Sequence, residues 1–203
     1  MEATNSLAFK IDATAPTISI AVPVDGSHVG LGKTIAASYD CDDATSGKAS
    51  CVGTVPNGNP IDTSTVGTHT FTVQASDNAD NTASKTVSYD VVYNVWTGFG
   101  PPIVNGGTTT RSAGSTVPIH FGIGGNFGLG ILAAGYPRSQ PVSCSTGVST
   151  GPSTPTASDS GLTFVNGQYA YDWKTDKAWK GTCRNFILKL NDNTVETALI
   201  QFK

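Results

Sequence analysis

The stretch GQYAYDWKTDKAWKGTCRNFILKL, residues 167–190, decides the fold of the last third of the chain. Its rings at Tyr169, Tyr171 and Trp173 alternate with small or polar residues, and the apolar residues of 186–190 alternate in the same way. A period of two indicates a β-strand with one buried face. We therefore expect two strands joined by a charged turn.

The flanking sequence extends this pattern on both sides. Upstream, Asn166-Gly167 separates two apolar runs, which is the strongest short-range hairpin signal because both residues accept positive φ. We expect successive strands to form a meander in chain order, over residues 162–165, 168–174, 182–190 and 195–202.

The composition favours β-structure with many turns. Hydrophobic residues make up 38% of the 203 residues, and there are 23 glycines and 11 prolines. Charged residues are only 13% and the formal net charge is −3, so we expect no nucleic-acid partner, which would need a basic face. No apolar run approaches the ~20 residues of a membrane span, so we expect no membrane insertion.

The four cysteines fall into a close pair, Cys41 and Cys51, and a distant pair, Cys144 and Cys183. We expect each pair to form a disulfide within its own domain, contributing roughly 3 and 4 kcal/mol by loop closure. The alternative is four reduced, buried thiols. A zinc site is less favoured, because neither pair has metal-ligand spacing. Disulfides imply an oxidising compartment, so we expect a secreted or cell-surface protein.

Short strand signals also recur through the first half of the chain. They predict strands over 17–22, 33–39, 49–55, 67–76 and 82–93, and this spacing is typical of a β-sandwich. Residues 1–11 are expected to be the remnant strand of a preceding repeat or a linker. No basic start or apolar stretch follows Met1, so we expect a fragment of a longer secreted chain.

Residues 12–93 resemble bacterial Ig-like repeats. Two segments carry the resemblance: DATAPTISIAVPVDGSHV from Asp12, and YDCDDATSGKASCVGTVPNGNPIDTSTVGTHTFTVQASDNADNTASKTVSY from Tyr39. Such repeats usually carry glycine in the DNxxN turn, where this chain has Asp80. We expect Cys41 and Cys51 to staple a loop between neighbouring strands and not to bridge two sheets.

Residues 94–203 resemble the PxKF family of small domains at the C-terminal end of bacterial secreted multidomain proteins. The resemblance is carried by AGSTVPIHF at 113–121, AAGYPRSQPVSC at 133–144 and the stretch at 167–190. His120 replaces the lysine after which the family is named. The resemblance implies location and modularity and no reaction. The expected fold class is all-β, with two Ig-like β-sandwich domains in tandem.

Acidic and amide side chains suggest a calcium site in the first domain. The turn at 77–81 offers Asp77, Asn78, Asp80 and Asn81, with Asp12 at the start of the domain, while Asp40, Asp42 and Asp43 crowd another loop. Ca²⁺ takes six to eight oxygen ligands, which such loops supply. The alternative is that Asp and Asn only build the turn, since their side chains bond nearby backbone.

The aromatic stripe of Tyr169, Tyr171 and Trp173, with Trp179 beside it, has two interpretations. It could stack against sugars as a ligand-binding platform, or it could form a sandwich core. Alternation with polar residues favours the core. We expect Trp96 and Phe99, in the joint between the domains, to pack between them.

Catalytic motifs are absent from the sequence, which has neither Gly-x-Ser-x-Gly nor HExxH and only two glutamates. We therefore expect a structural or adhesion module and not an enzyme, with no cofactor except Ca²⁺. The expected partners are neighbouring domains of the same chain, and a glycan or another surface protein. One alternative is a carbohydrate-binding accessory domain of a secreted hydrolase. Another is a subunit that self-assembles by β-strand exchange through residues 6–11.

Overall fold

The computed structural model describes residues 11–93 and 95–203, which form fourteen β-strands and one short 3-10 helix. The chain divides into two compact units between Val91 and Val92. The expected all-β fold class is confirmed, whereas the strand expected over 6–11 lies outside the described residues except for Ile11. In the part of the chain that the structure describes, no helix has the length and apolar character to cross a membrane.

The first unit has six strands in two antiparallel sheets. The strands are β1 (Thr17–Val22), β2 (Ser27–Gly30), β3 (Ser38–Asp42), β4 (Lys48–Gly53), β5 (Gly67–Asp77) and β6 (Thr82–Val92). Strands β1 and β3 form one sheet, and the other has the order β2-β6-β5-β4. From Phe71 onward, strand β5 is buried at every second residue, as its alternation predicts, and Phe71, Val73 and Ala75 enter the core.

A disulfide joins the two sheets of the first unit. Cys41 lies on β3 and Cys51 on β4, the edge strand of the four-stranded sheet. The expectation that this pair would not bridge two sheets is therefore wrong. The reason is that the chain changes sheets between β3 and β4, which the separation of 10 positions between the two cysteines does not reveal.

The strand expected over 33–39 is also wrong in its bounds. Strand β3 begins only at Ser38, and Ala36 forms an isolated bridge with Pro60. The backbone here bonds irregularly to a loop: the amide of Ala37 donates to the Asn59 carbonyl, and the amide of Ile61 donates to the Ile35 carbonyl. The alternating residues thus face the core without belonging to a regular ladder.

The second unit has eight strands and the 3-10 helix Lys177–Trp179. The strands are β7 (Thr108–Arg111), β8 (Thr116–Phe121), β9 (Arg138–Val142), β10 (Thr154–Pro155), β11 (Ala157–Val165), β12 (Gln168–Lys174), β13 (Cys183–Lys189) and β14 (Val195–Phe202). One sheet has the order β10-β9-β13-β14-β7 and the other β11-β12-β8. The pairing of β7 with β14 is parallel.

The expected meander is half right. Strands β11 and β12 form the hairpin closed by Asn166-Gly167, whose φ values are 52° and 79°. Strand β13 does not pair with β12, because it lies in the opposite sheet between β9 and β14. The charged segment between them, which contains the 3-10 helix, therefore carries the chain from one sheet to the other. The second disulfide, Cys144–Cys183, ties the start of β13 to the segment after β9.

One core fills the space between the two sheets of this unit. Its members come from the inner faces of β8, β12, β13 and β14. Phe99 is 5% exposed within this core, and Trp96 packs against it edge to face at 5.1 Å between centroids. Phe99 therefore belongs to the core of the second unit, which corrects the expectation that it packs between the domains. Trp96 is a partly buried residue that packs against this core, and its packing between the domains stays a prediction.

Candidate functional site

Three carboxylates converge at one end of the first unit. Asp12 lies before β1, Asp43 follows β3 and Asp77 ends β5, and a carboxylate oxygen of each lies within 4.8 Å of the others. The strands bring together three segments that are far apart in sequence. We call Asp12, Asp43 and Asp77 the acidic cluster.

Asp77 is the buried member of the acidic cluster, at 1% exposure. Its Oδ1 accepts hydrogen bonds from the amides of Ala79 and Asn81 at 2.8 and 2.9 Å, and its Oδ2 accepts one from Asn81 Nδ2 at 2.8 Å. Burial alone would raise the pKa of Asp77, but the bonds from Asn81 and Ala79 outweigh it and lower the pKa overall. Asp77 is therefore ionised at neutral pH despite its burial.

Backbone amides also fix the other two carboxylates. Asp12 accepts from the amides of Thr14 and Ser46 at 2.9 and 3.1 Å, and hydrogen bonding from Ser46 and Thr14 lowers its pKa. Asp43 Oδ1 accepts from the amides of Ser46 and Gly47 at 2.9 and 3.0 Å. Ser46 thus links Asp12 to Asp43, and the two loops hold the acidic cluster in place.

The structure brings together only part of the residue set predicted for calcium. Asn81 reaches the acidic cluster, since its Nδ2 also donates to the Asp12 carbonyl at 3.2 Å. Asn78 turns instead to the Ser46 carbonyl at 2.9 Å, and Asp80 is exposed and outside the acidic cluster. Asp43 is a member of the acidic cluster although the predicted ligand set did not include it. Its signal was the crowding of Asp40, Asp42 and Asp43.

The geometry of the acidic cluster suits a hard divalent cation. Three carboxylates can offer up to six oxygens, and Ca²⁺ takes six to eight. Like charges this close repel one another, which a bound cation would relieve. The ion pairs among the described residues leave the acidic cluster without a positive partner, whereas the nearby Asp40 binds Lys48 at 3.0 Å.

The aromatic stripe lies in the core of the second unit. Tyr169, Tyr171 and Trp173 are 0%, 6% and 0% exposed. Tyr169 stacks on Phe121 with 5.4 Å between centroids, and Trp173 lies 5.2 Å from Phe186. A sugar needs an open ring face, which these three residues do not offer. Their predicted ligand-binding role is therefore incompatible with their burial.

Trp179 is the half-buried member of the predicted ligand-binding set. It lies on the 3-10 helix and lines an open groove of about 480 Å³ together with Thr156 and Lys174. The guanidinium of Arg184 lies over its ring at 4.1 Å from the centroid. This cation–π contact covers part of the indole and fixes its orientation.

Comparisons with solved structures find tandem β-modules. The chain is similar to the fibronectin(III)-like modules of CbhA from Clostridium thermocellum, at 16% identity and a TM-score of 0.31, over 92% of this chain and 94% of that one. It is similar to the N-terminal Ig1-2 module of the Drosophila receptor protein tyrosine phosphatase DLAR, at 11% identity and 0.27, over 94% and 100%.

A third similar structure is SGBP-B of a Bacteroides ovatus mixed-linkage glucan utilization locus, in complex with a mixed-linkage heptasaccharide. The identity is 9% and the TM-score 0.27, over 94% of this chain and 48% of that one. At these identities and TM-scores, none of the three likenesses carries an argument about function. No protein-family model matches the sequence, and neither does any curated protein. Membership of the PxKF family therefore stays a prediction.

Proposed function

We propose that the chain is a non-catalytic structural module, a spacer or stalk end, of a secreted or surface-attached multidomain protein. The observation that carries the proposal is that each unit closes around its own core and contains its own disulfide. Disulfides persist in oxidising compartments, which favours an extracellular location. The proposed partners are the neighbouring domains of the same chain and, outside the chain, a glycan or another surface protein.

The two disulfides would limit how far the chain extends under load. Cys144 and Cys183 are separated by 39 positions in sequence, and Cys41 and Cys51 by 10. A pulled chain cannot lengthen through a closed loop, so the disulfides would withhold roughly 130–140 Å and about 35 Å of contour length. A spacer that bears tension gains from this property, whereas an unloaded domain does not need it.

Single-molecule force spectroscopy on the whole chain, held by its two ends, tests the structural role. We expect two separate unfolding events in oxidised protein, one for each unit. Under reducing conditions the event of the second unit should lengthen by roughly 130–140 Å, and a Cys144→Ser/Cys183→Ser variant should show the same length without reductant. Extension without resolvable force peaks would argue against a load-bearing module.

A second proposed function is calcium binding, supported by the convergence of Asp12, Asp43 and Asp77. A cation here would join the segment before β1 to the loops after β3 and β5, and so stiffen the start of the unit. Asn81 lies beside the acidic cluster and is a further candidate ligand. This proposal replaces the predicted ligands Asn78 and Asp80 with Asp43.

Thermal unfolding in calcium and in chelator tests this second function. A ligand that binds only the folded state at 100 times its Kd stabilises by ~2.7 kcal/mol, so we expect the first transition to rise by several degrees. Asp43→Asn should abolish the rise, whereas the matched control Asp80→Asn should keep it. An equal rise in both variants, or none in the native chain, would exclude the acidic cluster as a calcium site.

The carbohydrate-binding alternative now depends on Trp179 alone. A glycan array with the native chain and with Trp179→Ala separates it from the structural role. Binding that Trp179→Ala loses, in a variant that unfolds as the native chain does, would support the alternative. The strand-exchange alternative predicts a size that rises with concentration and falls back when residues 1–11 are deleted.

A further inference from the structure

A cationic cleft lies between the two sheets of the second unit, at the ends of β7 and β14 and the start of β8. Its volume is about 440 Å³. Pro102 and Pro118 form part of its wall. The remaining lining residues are two cations and four hydroxyl residues, namely Arg111, Lys203, Thr110, Ser112, Ser115 and Thr116. Among the residues that the structure describes, none of those lining this cleft is acidic.

The guanidinium of Arg111 makes few bonds within the protein. Its Nη2 donates one hydrogen bond to the Pro102 carbonyl at 3.2 Å, while its Nε is buried without a partner. The ion pairs found among the described residues include neither Arg111 nor Lys203. By contrast, Arg138 uses both Nε and Nη2 on Ser153, at 2.9 and 2.6 Å.

A buried guanidinium N–H without a partner is costly. Arginine carries five N–H donors in a planar fork, and a buried donor left without an acceptor forfeits its hydration. Arg111 as a whole is half-buried, so its charge loses part of its hydration without gaining an acidic partner among the described residues. An acceptor with negative charge in the cleft beside Arg111 would balance the charge of the half-buried guanidinium and accept charge-assisted hydrogen bonds from its terminal N–H groups.

We propose that this cleft binds an oxyanion, the carboxylate, sulfate or phosphate group of an extracellular ligand. Arg111 supplies the main charge-assisted hydrogen bonds, and Lys203 supplies a second positive charge. The hydroxyls of Thr110, Ser112 and Thr116 are donors that could complete the shell of an oxyanion. This binding activity goes beyond the proposed structural role and does not depend on it.

The competing explanation is that Arg111 serves only to fix the 101–107 loop through Pro102. That role would require only the hydrogen bond from Nη2, and the cleft would then have no affinity for anions. Lys203 separates the two explanations, because its side chain is exposed and lines the cleft but makes no bond to that loop. Replacing Lys203 should weaken an anion site and should not disturb a purely structural arginine.

The test is an NMR titration of the whole isotope-labelled chain at low ionic strength. The probes are inorganic phosphate, inorganic sulfate and oligogalacturonate, with neutral galactose as the control ligand. We expect saturable shifts of the Arg111 Nε–H signal and of the 110–116 amides with the anionic probes only. The anionic probe that binds most tightly identifies whether a free ion or an acidic glycan is the better occupant.

The variants then assign the site. We expect Arg111→Gln to weaken binding about tenfold or more and Lys203→Gln severalfold, while the matched control Lys33→Gln in the first unit changes nothing. Binding should also weaken as added salt shortens the screening length from ~30 Å to ~8 Å. Unsaturable shifts, equal binding of galactose, or unchanged binding in Lys203→Gln would overturn the proposal, even if Arg111→Gln fails to fold.

Discussion

Ser158 lies directly opposite Trp173 in the ladder between β11 and β12, and neither the serine hydroxyl nor the indole N–H has a hydrogen-bond partner. Residues paired across a ladder share a face of the sheet, so both polar atoms point toward the same core. The ladder shifts register just beyond Ser158, before Leu162. Two buried donors therefore lie side by side at the end of regular pairing, at a cost in stability.

Removing the hydroxyl of Ser158 should stabilise the second unit. A buried hydroxyl without a partner costs about 1–3 kcal/mol, so we expect Ser158→Ala to gain up to about 1 kcal/mol after the lost packing is counted. Urea unfolding measures the change. Ser160→Ala is the matched control, since Ser160 is exposed, and it should change stability by less than ~0.5 kcal/mol. A loss in Ser158→Ala larger than in the control would mean that the hydroxyl is satisfied.

Trp173 should tolerate phenylalanine far better than alanine. Trp173→Ala removes a fully buried ring that touches Phe186 and Phe202, and we expect a loss of about 3–5 kcal/mol. Trp173→Phe keeps a ring and removes the orphan N–H, so the loss should stay below about 2 kcal/mol. Equal losses in the two variants, measured by urea unfolding, would contradict the structure.

Replacing Asp80 with glycine should stabilise the first unit. Its φ is 66°, in the left-handed region, and its side chain is exposed outside the acidic cluster. Glycine adopts this conformation without steric cost, so we expect Asp80→Gly to stabilise the first unit by up to about 1 kcal/mol. Asp80→Ala should instead lose about 1 kcal/mol, because alanine accepts left-handed backbone less readily than aspartate. A stabilising alanine would show that charge repulsion outweighs backbone strain at this position.

The first unit should lose stability in acid. The folded pKa of Asp77 lies below its ordinary value of 3.8, so its contribution is fully present above that value and is lost as the pH falls toward the folded pKa. Urea unfolding of the native chain should show a falling midpoint below about pH 4. Asp77→Asn should be less stable at pH 7, and the difference should shrink in acid. A stability difference between the native chain and Asp77→Asn that is independent of pH would mean that the charge of Asp77 contributes nothing to stability.

The two disulfides should differ in how much they stabilise the protein. Loop closure predicts a loss of roughly 4 kcal/mol for Cys144→Ser/Cys183→Ser and about 3 kcal/mol for Cys41→Ser/Cys51→Ser. Each loss should affect the unfolding transition of its own unit, since the bonds lie in different units. Calorimetry on both variants measures this. A change in the other unit's transition would show that the two units unfold together.

Alternation along the sequence identified buried faces better than it identified neighbours. Strands β1 and β12 have the predicted bounds, and the inward residues of β12 are those that the stripe indicated. The pairing of β12 with β13 was predicted wrongly, because a period of two says which side faces the core and nothing about which strand lies alongside. The short strands β2 and β7 carry too few residues to show any period.

The candidate sites were likewise predictable only where residues close together in sequence form them. The turn at Asp77 was recognisable from its own residues, but the contribution of Asp43 depends on how β3 and β5 bring distant loops together. The cleft at Arg111 left no local signal, since its two cations lie 92 positions apart in sequence, at 111 and 203. Only the pairing of β7 with β14 places them side by side.

That parallel pairing also sets an order of events during synthesis. Strand β14 joins 199–202 to 108–111, so the five-stranded sheet is incomplete until residue 202 has emerged. The first unit needs nothing beyond β6 and can fold while the rest of the chain is still being made. A chain that emerges from its N-terminus would therefore carry a finished first unit ahead of an unfinished second one. Until β14 arrives, β13 exposes an open edge to aggregation or to a chaperone.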